Sequence, residues 1–160
     1  MGGGGSSSYD MGDLESLVKR AKEELKKGEI NKKNVFISFA HEDIDYVNLL
    51  RAQAKNDKLP IEFNDWSVSE SIDSERAPYI KQKIAERITQ SSLTVVYLSD
   101  KTLFSKWVEW EIEESIRRGK HVIGVYAGEK LPARVPEAIK QNNIKYVPWA
   151  RLSEAIDSLE

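Results

Sequence analysis

Residues 93–98 read Leu-Thr-Val-Val-Tyr-Leu, and residues 121–126 read His-Val-Ile-Gly-Val-Tyr. Each run has the length of a β-strand and is rich in β-branched and aromatic side chains. The apolar residues are nearly continuous rather than alternating with polar ones, which is typical of a strand buried on both faces. The two runs therefore predict central strands of a parallel sheet that carries helices on both sides.

Similar short runs recur along the chain and are separated by amphipathic segments. The predicted strands are 35–39, 59–63, 93–98, 122–126 and 144–147, and the predicted helices are 44–54, 78–88, 107–118, 136–140 and 152–159. This alternation favours a three-layer, flavodoxin-like α/β fold with a five-stranded parallel sheet in the order 2-1-3-4-5. Ligands of such sheets bind where the winding reverses, at the carboxyl ends of strands one and three. The sequence therefore predicts a site near residues 39–43 and 99–111.

The chain ahead of the first strand divides into two segments. Residues 1–12 open with Met-Gly-Gly-Gly-Gly-Ser-Ser-Ser, which predicts a flexible tag or linker. Leu14, Leu17 and Val18 recur at helical spacing and predict an amphipathic N-terminal helix over residues 13–28. Residues 34–160 then form the main domain.

Charge and composition exclude several classes of function. The 24 basic and 26 acidic residues give a formal net charge of -2, so we expect no nucleic-acid partner. No apolar run approaches the ~20 residues of a membrane span, so we expect no membrane partner and a cytoplasmic location. With no cysteine and two histidines, the chain offers few soft metal ligands, and we expect no metal site.

Two familiar nucleotide-binding motifs do not occur in the sequence. No strand is followed by a glycine-rich dinucleotide fingerprint, and there is no GxxxxGK[ST] phosphate loop. A phosphoacceptor receiver domain needs a lysine at the end of strand five, where this chain has Val147-Pro148-Trp149. A flavodoxin-like protein that binds FMN stays open, although the loop after strand one lacks the expected serine and threonine cluster.

Two stretches resemble Toll/interleukin-1 receptor (TIR) domains. Residues 34–43, Asn-Val-Phe-Ile-Ser-Phe-Ala-His-Glu-Asp, are similar to the first strand and turn of that family. Residues 105–112, Ser-Lys-Trp-Val-Glu-Trp-Glu-Ile, resemble its SxWCxxEL motif, with Val108 in place of cysteine and Ile112 in place of leucine. The form is similar to compact prokaryotic TIR-like proteins, including the TIR-like subunit of the Thoeris anti-phage system. The resemblance covers about residues 34–149.

The resemblance implies an enzyme that cleaves NAD, releases nicotinamide and makes an ADP-ribose-derived, cyclic signalling nucleotide for a separate defence effector. NAD is then the substrate, and no bound cofactor is expected. The family's catalytic glutamate falls on Glu111, which lies four residues after Trp107 and so on the same face of a helix. Self-association through TIR–TIR contacts is also implied. The alternative is a non-catalytic adaptor that acts by homotypic protein–protein contacts.

The resemblance also implies residues that bind the substrate. Phe39, Ala40 and His41 end strand one, where family enzymes surround the nicotinamide ribose, although Phe39 is equally suited to the core. Ser105 is suited to capping the following helix, to bonding ribose or phosphate, or to both. Trp107 is expected to pack beneath the site and shape it.

A polar loop over residues 64–77 follows strand two and corresponds to a long loop that joins neighbouring protomers in assembled TIR enzymes. Asp65 and Trp66 are therefore predicted assembly residues. Trp66 is the conspicuous apolar residue of this loop, and an exposed tryptophan often marks an interface. The alternative is that Trp66 packs against strand two.

Overall fold

A computed structural model describes residues 11–64 and 70–159, and it leaves the side chains of residues 11, 12 and 24–31 undescribed. The chain divides into two compact units, Met1–Lys32 and Lys33–Glu160. The first unit contains helix α1 (Met11–Asn31), which extends beyond the predicted range at both ends. Leu14, Leu17 and Val18 share one face of α1, as their spacing predicts.

The second unit is built on a parallel sheet. Its strands are β1 (Lys33–Ser38), β2 (Ile61–Asn64), β3 (Leu93–Tyr97), β4 (His121–Tyr126) and β5 (Tyr146–Pro148). Its helices are α2 (Ile44–Asn56), α3 (Ala77–Gln90), α4 (Lys106–Arg117), α5 (Glu137–Gln141) and α6 (Leu152–Asp157). The strand order is β2-β1-β3-β4-β5, and every neighbouring pair is parallel. This confirms the predicted five-stranded, flavodoxin-like sheet.

The helices form two layers around the sheet. Alternate residues of β1 point to opposite faces. Val35 and Ile37 pack with α2 and α6, while Phe36 packs with α3 and with Trp107 of α4. The core of β3 is likewise shared between the two faces. Because both faces of these strands are buried, their sequences consist of nearly continuous apolar residues.

Two strands begin later than the sequence predicts, and both delays have the same cause. Lys58 and Asn143 adopt positive φ angles of 53° and 52° after α2 and α5. The next residue in each case closes the helix end, since the N–H of Leu59 bonds the Ala54 carbonyl and that of Ile144 bonds the Ile139 carbonyl. Leu59 and Ile144 therefore belong to the C-terminal caps of α2 and α5, and the strands begin after them.

The topology opens a crevice between two neighbouring strands. The chain leaves β1 toward α2 on one face of the sheet and leaves β3 toward α4 on the opposite face. The two connections diverge at the carboxyl ends of adjacent strands, which leaves the crevice typical of such sheets.

Candidate functional site

A cleft of about 640 Å³ occupies this crevice at the carboxyl ends of β1 and β3. The structure brings five predicted site residues into its wall: Phe39, His41, Ser105, Trp107 and Glu111. The wall also contains residues that were not predicted from the sequence: Glu42, Glu70, Ser71, Ile72, Lys101, Phe104 and Lys106. Ala40 is fully buried beside them and is not among the lining residues. The prediction for Asp65 and Trp66 lies outside the described residues.

Glu111 is the most deeply placed charged residue of the cleft wall, with 3% of its surface exposed. It lies on the buried face of α4, one turn after Trp107. The hydroxyl of Ser38, the last residue of β1, donates a hydrogen bond to its Oε1 over 2.8 Å. A buried carboxylate needs such donors, because it has lost those of water.

The main chain at Glu111 is held by a second buried contact. Ser115 Oγ donates to the Glu111 carbonyl over 2.7 Å and lies 2.8 Å from Thr94 Oγ1 on β3. Ser115 and Thr94 are both fully buried. Glu111 is therefore fixed through its side chain by β1 and through its backbone by a pair that reaches β3.

Ser105 and Trp107 position the start of α4. Ser105 is the N-cap of the helix, and its Oγ accepts a hydrogen bond from the Val108 N–H over 3.2 Å. Trp107 is 8% exposed and meets the ring of Trp110 edge-on at 6.1 Å. Its indole N–H donates to the carbonyl of Glu70 over 2.6 Å. Trp107 thus packs under the cleft and also holds the backbone at Glu70.

Glu70, Ser71 and Ile72 form one side of the cleft, at the start of a segment that continues to Arg76. Arg76 pairs with Glu70 over 2.9 Å, and Lys106 Nζ lies 3.7 Å from Asp73. These ion pairs are largely exposed, so each contributes little to stability. The Arg76–Glu70 pair also lies within the segment, so the segment is attached mainly by the Trp107 indole hydrogen bond and by Ile72, which packs against the cluster of Phe36 and Trp107.

A hydrogen bond joins the turn after β1 to the loop after β3. Ser99 Oγ donates to Asp43 Oδ2 over 2.5 Å. Burial raises the pKa of the Asp43 carboxyl above its ordinary value, and the Ser99 hydrogen bond opposes that rise. Burial, and then the charge of Asp43, raises the pKa of Tyr97 to about 12. The two loops that border the cleft are therefore tied together by this hydrogen bond.

Several contributors to the site carry little signal in the sequence. Ser38 sits inside an apolar run, and a polar residue there is a hint of a buried partner. Glu70 contributes its main-chain carbonyl, which no side-chain pattern reveals. Lys101 and Phe104 belong to the loop after β3 that topology indicates, but nothing local distinguishes them; Phe104 is 81% exposed.

Two other features, a cluster of metal ligands and a membrane-spanning helix, were sought among the described residues. Across residues 11–64 and 70–159, no three histidine, aspartate or glutamate side chains converge in a way that could hold a metal ion. Within the same ranges, no helix combines the length and the apolar character needed to cross a bilayer.

Two solved structures of known proteins are similar to this chain. The TIR domain of the Toll-related receptor TRR-2 from Hydra magnipapillata is 18% identical, covers 74% of this chain and 86% of its own, and superimposes with a TM-score of 0.53. The CMP N-glycosidase BcmB of Clostridium botulinum is 13% identical, with coverage of 78% and 98% and a TM-score of 0.49. At this identity, the similarity to TRR-2 shows a shared fold, which is that of a TIR domain.

The family is defined by sequence as well. The pattern of the TIR-like domain of the Thoeris protein ThsB matches residues 36–131, which is more than half of the chain. The chain therefore belongs to the ThsB TIR-like domain family. A search among curated proteins finds no match.

Proposed function

We propose that this chain cleaves NAD between nicotinamide and ribose and converts the rest into a cyclic, ADP-ribose-derived signalling nucleotide in anti-phage defence. One observation carries the proposal: the carboxylate of Glu111 lies in the wall of the cleft at the switch point of the sheet, held by a hydrogen bond. Membership of the ThsB TIR-like domain family supports the same assignment.

A single carboxylate is sufficient for this reaction. The bond from ribose C1′ to the pyridinium nitrogen breaks, and its electron pair goes to the nitrogen, so nicotinamide leaves as a neutral molecule without a proton. Positive charge develops on the ribose, and the Glu111 carboxylate stabilises it, a role related to that of glycosidase carboxylates.

The nucleophile decides the product. C1′ forms its new bond either to water, which gives linear ADP-ribose, or to a nucleophilic atom of the same ADP-ribose, which closes a ring. A water or hydroxyl nucleophile loses one proton to solvent, whereas a ring nitrogen has no proton to lose and carries the positive charge into the product. The proposal favours ring closure, because family members of the Thoeris type signal through such a nucleotide to a separate effector.

The other lining residues are suited to hold a dinucleotide. A cleft of about 640 Å³ falls within the range of small-molecule sites. Lys101 and Lys106 supply positive charge for the pyrophosphate. Phe39, His41 and Trp107 line the cleft and are proposed to contact the ribose and the nicotinamide ring, and Ser105 offers a hydroxyl at the start of α4. Self-association of the chain completes the site in this proposal.

The test is to incubate the protein with NAD at high protein concentration and to separate the products by chromatography with mass detection. We expect nicotinamide together with a second product whose mass distinguishes the cyclic from the linear nucleotide. The Glu111→Gln variant is expected to reduce nicotinamide release by about a thousandfold. Equal release by the variant would refute the role of Glu111.

A second candidate function is an adaptor that acts through homotypic contacts. It is favoured by large apolar side chains on the surface of the second unit, since Phe104 is 81% exposed and Leu49 and Tyr79 are 64% and 50% exposed. An adaptor would self-associate without consuming NAD. Light scattering beside the NAD assay separates the two functions, because an adaptor assembles while nicotinamide stays undetected.

A further inference from the structure

We infer that Ser38 is a positioning residue that holds the Glu111 carboxylate ionised and oriented for the reaction. The inference rests on the proposed function, because it assigns a partner to the residue that the proposal makes catalytic. It adds a residue on β1 to a site otherwise assigned to α4 and to the loops.

The contact is long-range and fully enclosed. Ser38 and Glu111 are 73 residues apart in sequence, and their side chains meet with Oγ and Oε1 separated by 2.8 Å. Ser38 has 0% of its surface exposed and Glu111 has 3%. Ser38 therefore acts on a substrate in the cleft through Glu111, since it has no surface of its own there.

A hydroxyl at this position favours one protonation state. The hydroxyl donates to the charged carboxylate, and a donor to the charged form opposes the tendency of burial to neutralise it. Hydrogen bonds to charged groups in the interior are stronger than those between neutral groups. The other titratable side chains of the cleft wall are His41, Glu42, Glu70, Lys101 and Lys106, and a substitution at Ser38 leaves all of them in place. Loss of the hydroxyl at Ser38 alone therefore favours the protonated form of the Glu111 carboxyl, which cannot stabilise positive charge on the ribose.

The same hydrogen bond restricts the direction of the carboxylate. A glutamate side chain has three rotatable torsions. The hydrogen bond from Ser115 fixes the backbone of Glu111 but none of these side-chain torsions. With Oε1 tied to Ser38, the group is held against β1 at the cleft wall. A displacement of about 1 Å of a catalytic group lowers the reaction rate by a large factor, so the loss of the Ser38 hydrogen bond is expected to lower kcat. KM for NAD changes little, because Ser38 contributes no binding surface.

The experiment compares Ser38→Ala with wild type by two independent readouts. The first is the carbon-13 signal of the Glu111 carboxyl group followed through a pH titration. The second is the pH profile of kcat and of KM for NAD. We expect the midpoint of the carboxyl signal and the acid limb of kcat to move up together by about one pH unit. At the plateau, we expect kcat to fall about tenfold.

Matched variants separate positioning from a structural effect. Ser91 is also buried, and its hydroxyl donates to the carbonyl of Arg87 at the end of α3. Ser91→Ala therefore removes a comparable hydroxyl away from the cleft, and it is expected to leave both readouts unchanged. Ser38→Thr keeps the hydroxyl and is expected to restore the wild-type midpoint. Ser38→Cys, nearly isosteric with only a weak donor, replaces the alanine variant if that variant does not fold.

The outcomes distinguish this inference from the proposed function. An unchanged carboxyl midpoint in folded Ser38→Ala, or an equal shift in Ser91→Ala, would overturn the role of Ser38. Wild-type protein that consumes no NAD would overturn the proposed function instead, and the carbon-13 titration would still decide whether Ser38 holds the carboxylate.

Discussion

Replacing Trp107 by phenylalanine tests how the cleft is joined to the segment that follows β2. The indole N–H of Trp107 donates to the Glu70 carbonyl over 2.6 Å, and its ring packs in the cluster that contains Phe36 and Ile84. Phenylalanine keeps most of the ring packing, but it has no N–H to donate. The substitution therefore frees the backbone at Glu70 with limited damage to the core, while Ile72 stays packed against the same cluster.

The expected loss of stability can be worked from these two terms. One hydrogen bond of this kind contributes about 1 kcal/mol to the free energy of unfolding. The smaller ring also buries less apolar surface. Because Trp107 is only 8% exposed, nearly all of this difference is lost burial, which costs about 1 kcal/mol more of unfolding free energy. We expect Trp107→Phe to lower the free energy of unfolding by about 2 kcal/mol.

Urea denaturation followed by far-ultraviolet circular dichroism measures the loss, with Trp110→Phe as the matched control. Trp110 touches Trp107 edge-on but is less buried, so its variant is expected to lose less than about 1 kcal/mol. Hydrogen exchange should also become faster at the amides of Ser74 and Ala77, whose turn hydrogen bonds follow the loosened residue Glu70. Wild-type stability, or unchanged exchange at these amides, would refute the attachment.

Three further substitutions test the sheet, the helix start and the loop contact. An alanine Cβ at Gly124 would lie 2.8 Å from both Leu98 Cδ1 and Tyr146 Cβ, so Gly124→Ala is expected to lower the free energy of unfolding by about 1–3 kcal/mol in urea titrations. Ser105→Ala removes the N-cap of α4 and should cost about 1 kcal/mol in the same assay. Burial raises the pKa of Asp43, so the native state binds that proton more tightly than the unfolded chain, and the ionised group lowers stability as pH rises through its native pKa. The stability of Asp43→Asn relative to wild type should therefore increase from about pH 3 to about pH 7, and a constant difference would contradict this reasoning.

The interior of the fold could be predicted from the sequence because it is encoded locally. Strands buried on both faces need continuous apolar runs, and helices between them need one apolar stripe, so each element is visible in its own residues. The strand starts at Ile61 and Tyr146 could not be predicted in this way. They depend on helix ends closed by Lys58 and Asn143 at positive φ, and neither residue is the glycine that usually signals such a cap.

The candidate site was predictable to the extent that it follows from topology. The strand order predicts only that residues 39–43 and 99–111 meet, and the resemblance to TIR domains then selected Phe39, Ser105 and Glu111 within these ranges. The partner of Glu111 was not predictable, because Ser38 is 73 residues away and the pairing depends on the register of α4 against β1. The contact at Glu70 uses its main-chain carbonyl, which every residue type has, so the sequence does not reveal it.

The most direct test of the central claim is the rate of nicotinamide release from NAD by wild type, Glu111→Gln and Glu113→Gln at one protein concentration. Glu113 is an exposed glutamate on the same helix, and glutamine at Glu111 can still accept the Ser38 hydrogen bond, so both variants should fold. We predict turnover by wild type and by Glu113→Gln, and a loss of about a thousandfold in Glu111→Gln. Equal rates in all three proteins, or no release by folded and assembled wild type, would contradict the proposed function.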